Sequence, residues 1–166
     1  MTLARPRSVL VPALVALLVG GVAPGCEDEG PAVDPATIST DPPANAAMLP
    51  REITPAGVIS MTRMGSDFTH HWVSDPGWDG EVIKTRKSGG ILTFSVKMHA
   101  ATAVGGEFWV ICQAPLADDT ARSVAEGGLA RFKGRITQVE FTKDPTLSGD
   151  KIHLDHVKVT RFNKPG

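Results

Sequence analysis

The sequence is short of cysteine, of charge of one sign and of long apolar runs, and each shortage excludes something. Its 166 residues include two cysteines, Cys26 and Cys112, which form no CxxC pair of the kind that binds zinc or cycles redox equivalents. Lys and Arg number 17 against 18 Asp and Glu, a net charge of −1, so the chain carries no nucleic-acid footprint. HExxH, GxSxG, GxxxxGK[ST] and GxGxxG are all missing. With them go the usual zinc hydrolase, nucleophile elbow, P-loop and dinucleotide readings. The serines fall in turns or strand faces and the acids are scattered, so no facing pair of carboxylates is in prospect. No enzymatic activity and no cofactor are expected.

The one long apolar run lies at the start. Arg5 and Arg7 precede it, Val9 to Val19 form it with one break at Pro12, and Gly20-Gly21-Val22-Ala23-Pro24-Gly25 lead to Cys26. At roughly 11 to 14 residues it is too short for a stable helix across a ~30 Å hydrocarbon core. Its order of positive start, apolar run and small residues is that of a cleaved secretory signal. Residues 1–25 are therefore read as a signal peptide.

The stretch Val22-Ala23-Pro24-Gly25-Cys26 resembles the lipobox of bacterial lipoproteins, although that family usually has Leu where Ala23 stands. The resemblance implies that Cys26 receives a diacylglyceryl group and becomes the first residue. Ordinary cleavage between Ala23 and Cys26 is the alternative. Acylation would anchor the protein to a membrane, since each buried methylene contributes roughly 0.8 kcal/mol. It implies a bacterial cell-envelope location, lipid-anchored, and leaves Cys112 without a disulfide partner. In the run Phe108-Trp109-Val110-Ile111-Cys112, a buried structural thiol is the expectation.

Residues 26–50 hold Glu27, Asp28, Glu29, Asp34 and Asp41 with no Lys or Arg, and five prolines. This composition predicts a disordered, extended acidic tether. Residues 51–166 form one domain and are mildly basic, with 15 cationic and 13 acidic residues.

Within that domain the pattern is mostly β. Ile91 to Met98 alternates cleanly, and Glu107 to Gln113 is apolar on both faces, as a central strand would be. Gly57 to Met61 and Glu81 to Lys84 compete for a further strand. Asp75-Pro76-Gly77 marks a turn between Trp72 and Trp78. Leu116 to Glu126 is the one plausible helix, stopped by Gly127-Gly128. In the last forty residues, Phe132, Gly134 and Ile136 share one parity, then Val139 and Phe141 take the other. Ile152 and Leu154 likewise give way to Val157 and Val159. Matching switches predict bulges in two paired, strongly curved strands, as in a small closed barrel.

The order of strand, short helix, Gly127-Gly128, a strand with an internal Gly134 and a closing Ile152-His153-Leu154-Asp155-His156-Val157 resembles the OB-fold. It is similar, more narrowly, to the tRNA-anticodon-like OB domains of exported bacterial proteins. The fold implied is all-β, a small OB-like five-stranded barrel with one short helix. The function implied is a binding or interaction module of the envelope, meeting a polymer or partner protein; nucleic acid is not expected as a ligand in vivo.

OB barrels bind extended polymers with aromatic and basic side chains. The candidates are Trp72 and Trp78, expected to be partly exposed beside their turn, and the basic row Arg131, Lys133 and Arg135. Trp109 is expected in the core. The alternative function is an envelope metal-binding protein using His153, Asp155 and His156, brought together by the bulge and joined by His70 or His71.

Overall fold

Alternation of buried and exposed side chains runs through five strands: β1 (Trp78–Ser88), β2 (Ile91–His99), β3 (Glu107–Pro115), β4 (Leu129–Glu140) and β5 (Lys151–Asn163). The computed structural model describes residues 37–99, 107–142 and 149–164, and of His99 the backbone alone. The expected signal peptide, Cys26 and the expected tether up to residue 36 lie outside the described residues. Among those described, no helix is long and apolar enough to cross a membrane.

The strands close into a barrel in the order β1-β2-β3-β5-β4, and β4 returns to β1. Neighbours are antiparallel except β3 and β5, which run parallel. A short helix α1 (Pro55–Arg63) precedes the barrel and a second, α2 (Asp119–Ser123), sits between β3 and β4. This is an OB-like, all-β barrel. Closure removes the free sheet edges that would otherwise recruit other chains. The interior is apolar: Leu92, Phe94, Val110, Phe132, Ile136 and Ile152 are fully buried, and among the described residues no polar side chain is. Phe94 and Phe132 meet edge to face at 5.9 Å across it.

Both parity switches are present as bulges. The β4–β5 register shifts between Arg131 and Phe132, between Lys133 and Arg135, and between Ile136 and Gln138. His156 takes φ +50° at the second of these, which lets Leu154 and Val157 both face the core. Gly134 lies opposite this bulge, where an added Cβ would sit 2.8 Å from the Asp155 carbonyl oxygen. A side chain there would push the strands apart at the barrel's tightest bend.

Two expectations are corrected. Gly57 to Met61 is not a strand but lies in α1, and the first barrel strand contains Glu81 to Lys84. Thr54 and Pro55 decide this. Thr54 caps the helix by accepting the Gly57 N–H at 3.2 Å, Pro55 occupies its first turn, and Val58 and Ile59 turn one face into the core. The second helix is shorter than Leu116 to Glu126. Asp118 caps it through the Thr120 N–H at 2.8 Å, and Val124 already has extended backbone.

Before β1 the chain adds a strip to the β4 edge. His70 and Val73 donate to the carbonyls of Ile136 and Gly134 at 2.7 and 2.9 Å. Leu49 then pairs on the far side, its N–H donating to the Trp72 carbonyl at 2.8 Å. Residues 39–49, at the end of the expected tether, therefore lie against the barrel, with Leu49 buried, His156 Nδ1 donating to the Ser39 carbonyl at 2.7 Å, and Lys158 paired with Asp41 at 3.0 Å.

Candidate binding face

The basic row Arg131, Lys133 and Arg135 does point outward from β4, but each cation has its own carboxylate. Arg131 makes two hydrogen bonds to Asp79, at 2.7 and 2.6 Å. Lys133 reaches Asp75 at 2.9 Å. Arg135 makes two to Asp155, at 2.9 and 2.6 Å. The pairing raises the Arg131 and Arg135 guanidinium pKa values and holds the Asp75 carboxyl below its ordinary range. A cation already engaged this way offers little to an incoming anion. The row is a neutralised ion-pair ladder.

The tryptophans reverse their expected places. Trp72 and Trp78 are 6 % and 7 % exposed, so neither presents a face to a ligand. Trp72 lies in the strip between Met48 and Arg135, with its ring 5.8 Å from that of His156. Trp78 opens β1, and its indole N–H points at the Ile53 carbonyl at 3.4 Å. Their turn packs down because residues 70–73 and 78–81 both pair with β4, which ties its two ends to one strand. Trp109, expected in the core, has the outward parity between buried Phe108 and Val110 and is partly exposed.

His153, Asp155 and His156 do not converge as a trio, although His156 Nε2 lies 3.8 Å from Asp155 Oδ2. His153 pairs with Glu140 at 3.3 Å, Asp155 is held by Arg135, and His156 is taken up by the Ser39 carbonyl. His70 is exposed beside β4, and His71 packs against Phe68. Among the described residues no group of three or more His, Cys, Asp or Glu could hold a metal ion.

What the topology does assemble is a face across the outside of β1, β2, β3 and β5. Register places Glu81, Lys97, Trp109 and Lys151 in one row, then Lys84, Ser95, Ile111 and His153 in the next. Arg86, Thr93 and Gln113 form a third. Neighbours within a row are ~4.8 Å apart and successive rows ~7 Å apart. Lys97 pairs with Glu107, and Lys151 with Glu140 at 3.2 Å. Lys151, then His153, holds the Glu140 carboxyl below its ordinary range. Lys84 and Arg86 are exposed and have no ion pair among the described residues. Beside Ile111, a hollow of about 140 Å³ is lined by Gln113, Thr137, Gln138, His153 and Asp155.

Lys84 and Arg86 were not singled out as a site in the sequence, and Trp109, a candidate there, was expected to pack in the core. The signal was available for Trp109 alone, from strict alternation across Phe108, Val110 and Cys112. No protein-family model, curated protein or solved structure matches the chain.

Proposed function

We propose that this chain is an exported bacterial lipoprotein, anchored through Cys26, whose barrel is a non-catalytic binding module of the cell envelope. The observation that carries the reading is the partly exposed Trp109 on the polar outer face of β2 and β3, the face OB barrels use for polymers. An indole on a strand offers a rigid flat surface at little entropic cost, and Ser95 in the next row, with Thr93 and Gln113 in the row beyond, supplies hydrogen-bonding groups. The partner is an extended envelope polymer lying across the strands.

Trp109 gives a direct readout because Trp72 and Trp78 are buried. The full-length chain, extracted in detergent, is titrated with fractionated envelope polysaccharides while iodide quenching of tryptophan fluorescence is followed. Protection of the quenchable fraction by at least one fraction is the expected result. Unchanged quenching with every fraction would remove the binding reading.

A further inference from the structure

Charge on this barrel is distributed unequally, and the inequality identifies a ligand class for the face just described. On β4 all three outward cations are matched by Asp79, Asp75 and Asp155. On β1 the outward cations Lys84 and Arg86 are unmatched among the described residues, and both are exposed. They stand in the rows of Ile111 and Gln113, two strands away, at ~10 Å. A ligand stacked on Trp109 and crossing toward the β1–β2 hairpin would meet them next.

Resting on the binding-module reading, we infer that the occupant is an anionic polysaccharide. One sugar ring stacks on Trp109, the hydroxyls of the units that follow bond to Ser95, Thr93 and Gln113, and spaced carboxylate or phosphate groups reach Lys84 and Arg86. A single-stranded nucleic acid fits less well. Such ligands are held by several aromatic platforms along the strand, and this face presents Trp109 alone among described aromatics on β1, β2, β3 and β5. Glu81, Glu107 and Glu140 border the same surface. Glu81, which has no ion pair among the described residues, would repel a polyphosphate with a charge on every unit, while all three carboxylates accept hydrogen bonds from sugar hydroxyls. The arrangement suits a chain whose charges are separated by neutral, hydroxyl-rich stretches.

The test uses the full-length chain in detergent with three probes: hyaluronate, in which charged and neutral sugars alternate, amylose as an uncharged pyranose polymer, and oligothymidylate. Binding is read by calorimetry at low and high salt. The inference requires hyaluronate to bind most tightly and to weaken with salt. It requires the double variant Lys84→Glu, Arg86→Glu to lose at least tenfold in affinity, and Arg131→Ala, in the neutralised ladder, to lose none. Both exposed strand positions tolerate substitution, and fluorescence of buried Trp72 and Trp78 checks that the variant is folded. Equal binding of amylose, undiminished by the double variant, would overturn the anionic class and leave the binding face standing. Preference for oligothymidylate would overturn the choice of polysaccharide. Binding to none of the three, with quenching unchanged by any envelope fraction, would remove both readings together.

Discussion

Arg135 on β4 and Asp155 on β5 face each other across the bulge at His156, joined by two hydrogen bonds of 2.9 and 2.6 Å. Their side chains are 33 % and 24 % exposed, so water still screens the pair. A double-mutant cycle with Arg135→Ala and Asp155→Ala should give a coupling of about 1 kcal/mol, at the upper end for exposed pairs because the geometry is two-pronged. Polymer affinity should be unchanged in Arg135→Ala. A tenfold loss of binding in that variant would return the basic row of β4 to the binding site.

Acid should weaken the domain through its paired carboxylates. Asp75 is held below its ordinary 3.8 by hydrogen bonding to Lys133, and Glu140 below its ordinary 4.5 by Lys151 and His153. A carboxyl with a depressed folded pKa adds stability above its unfolded pKa, and that stability is lost as pH falls through the folded value. The melting temperature should hold between about pH 7 and 5 and then decline below about 4.5. Lys133→Ala should make the decline shallower. A decline of unaltered steepness in that variant would show the pairing to be energetically idle.

Gly134 permits the closest approach of β4 and β5. A Cβ there would meet the Asp155 carbonyl oxygen and the Val157 side chain, each at 2.8 Å. Gly134→Ala should therefore destabilise by about 1 to 3 kcal/mol, the range for overpacking. Gly65→Ala is a poor control because of its positive φ. Gly57, with ordinary 3.5 Å contacts, is the better one, and replacing it should change the denaturation midpoint little. Equal effects at both positions would mean that the bend at Gly134 has slack.

Trp72 and Trp109 should separate stability from binding. Trp72→Ala empties a buried site between the strip at 47–49 and β4, and should cost about 3 to 5 kcal/mol. Its remaining folded fraction should bind polymer normally. Trp109→Ala should lose polymer binding at a smaller stability cost. The opposite assignment, with Trp72 needed for binding in a fully folded variant, would move the site to the β4 edge.

The barrel itself was legible because its signals are periodic. Parity switches at Ile136/Val139 and Leu154/Val157 marked the bulges, and Gly134 marked the bend. The first strand and α1 were obscured for a different reason. Val58-Ile59 looks the same on a strand or a short helix, and only the Thr54-Pro55 start distinguishes them. The site was mostly illegible because charge pairing is a tertiary property. Arg131, Lys133 and Arg135 alternate as a binding row would, yet their partners Asp79, Asp75 and Asp155 lie 52, 58 and 20 residues away. Nor does local sequence show that Lys84 and Arg86 lack such partners.

Cys112 connects the fold to the proposed anchor. Its side chain is fully buried opposite Phe94, and burial pushes the thiol well above its ordinary 9.0. Neither access nor thiolate is available for reaction in the folded state. Full-length protein extracted from membranes should therefore show no reactive thiol when native. Unfolded in denaturant it should show one, because acylated Cys26 contributes none. Two thiols on unfolding would mean that Cys26 is unmodified, and the anchoring proposal would fall. A measurement of intact mass beside a Cys26→Ala version decides the same point independently, since the acyl mass and the membrane association should vanish together in the variant.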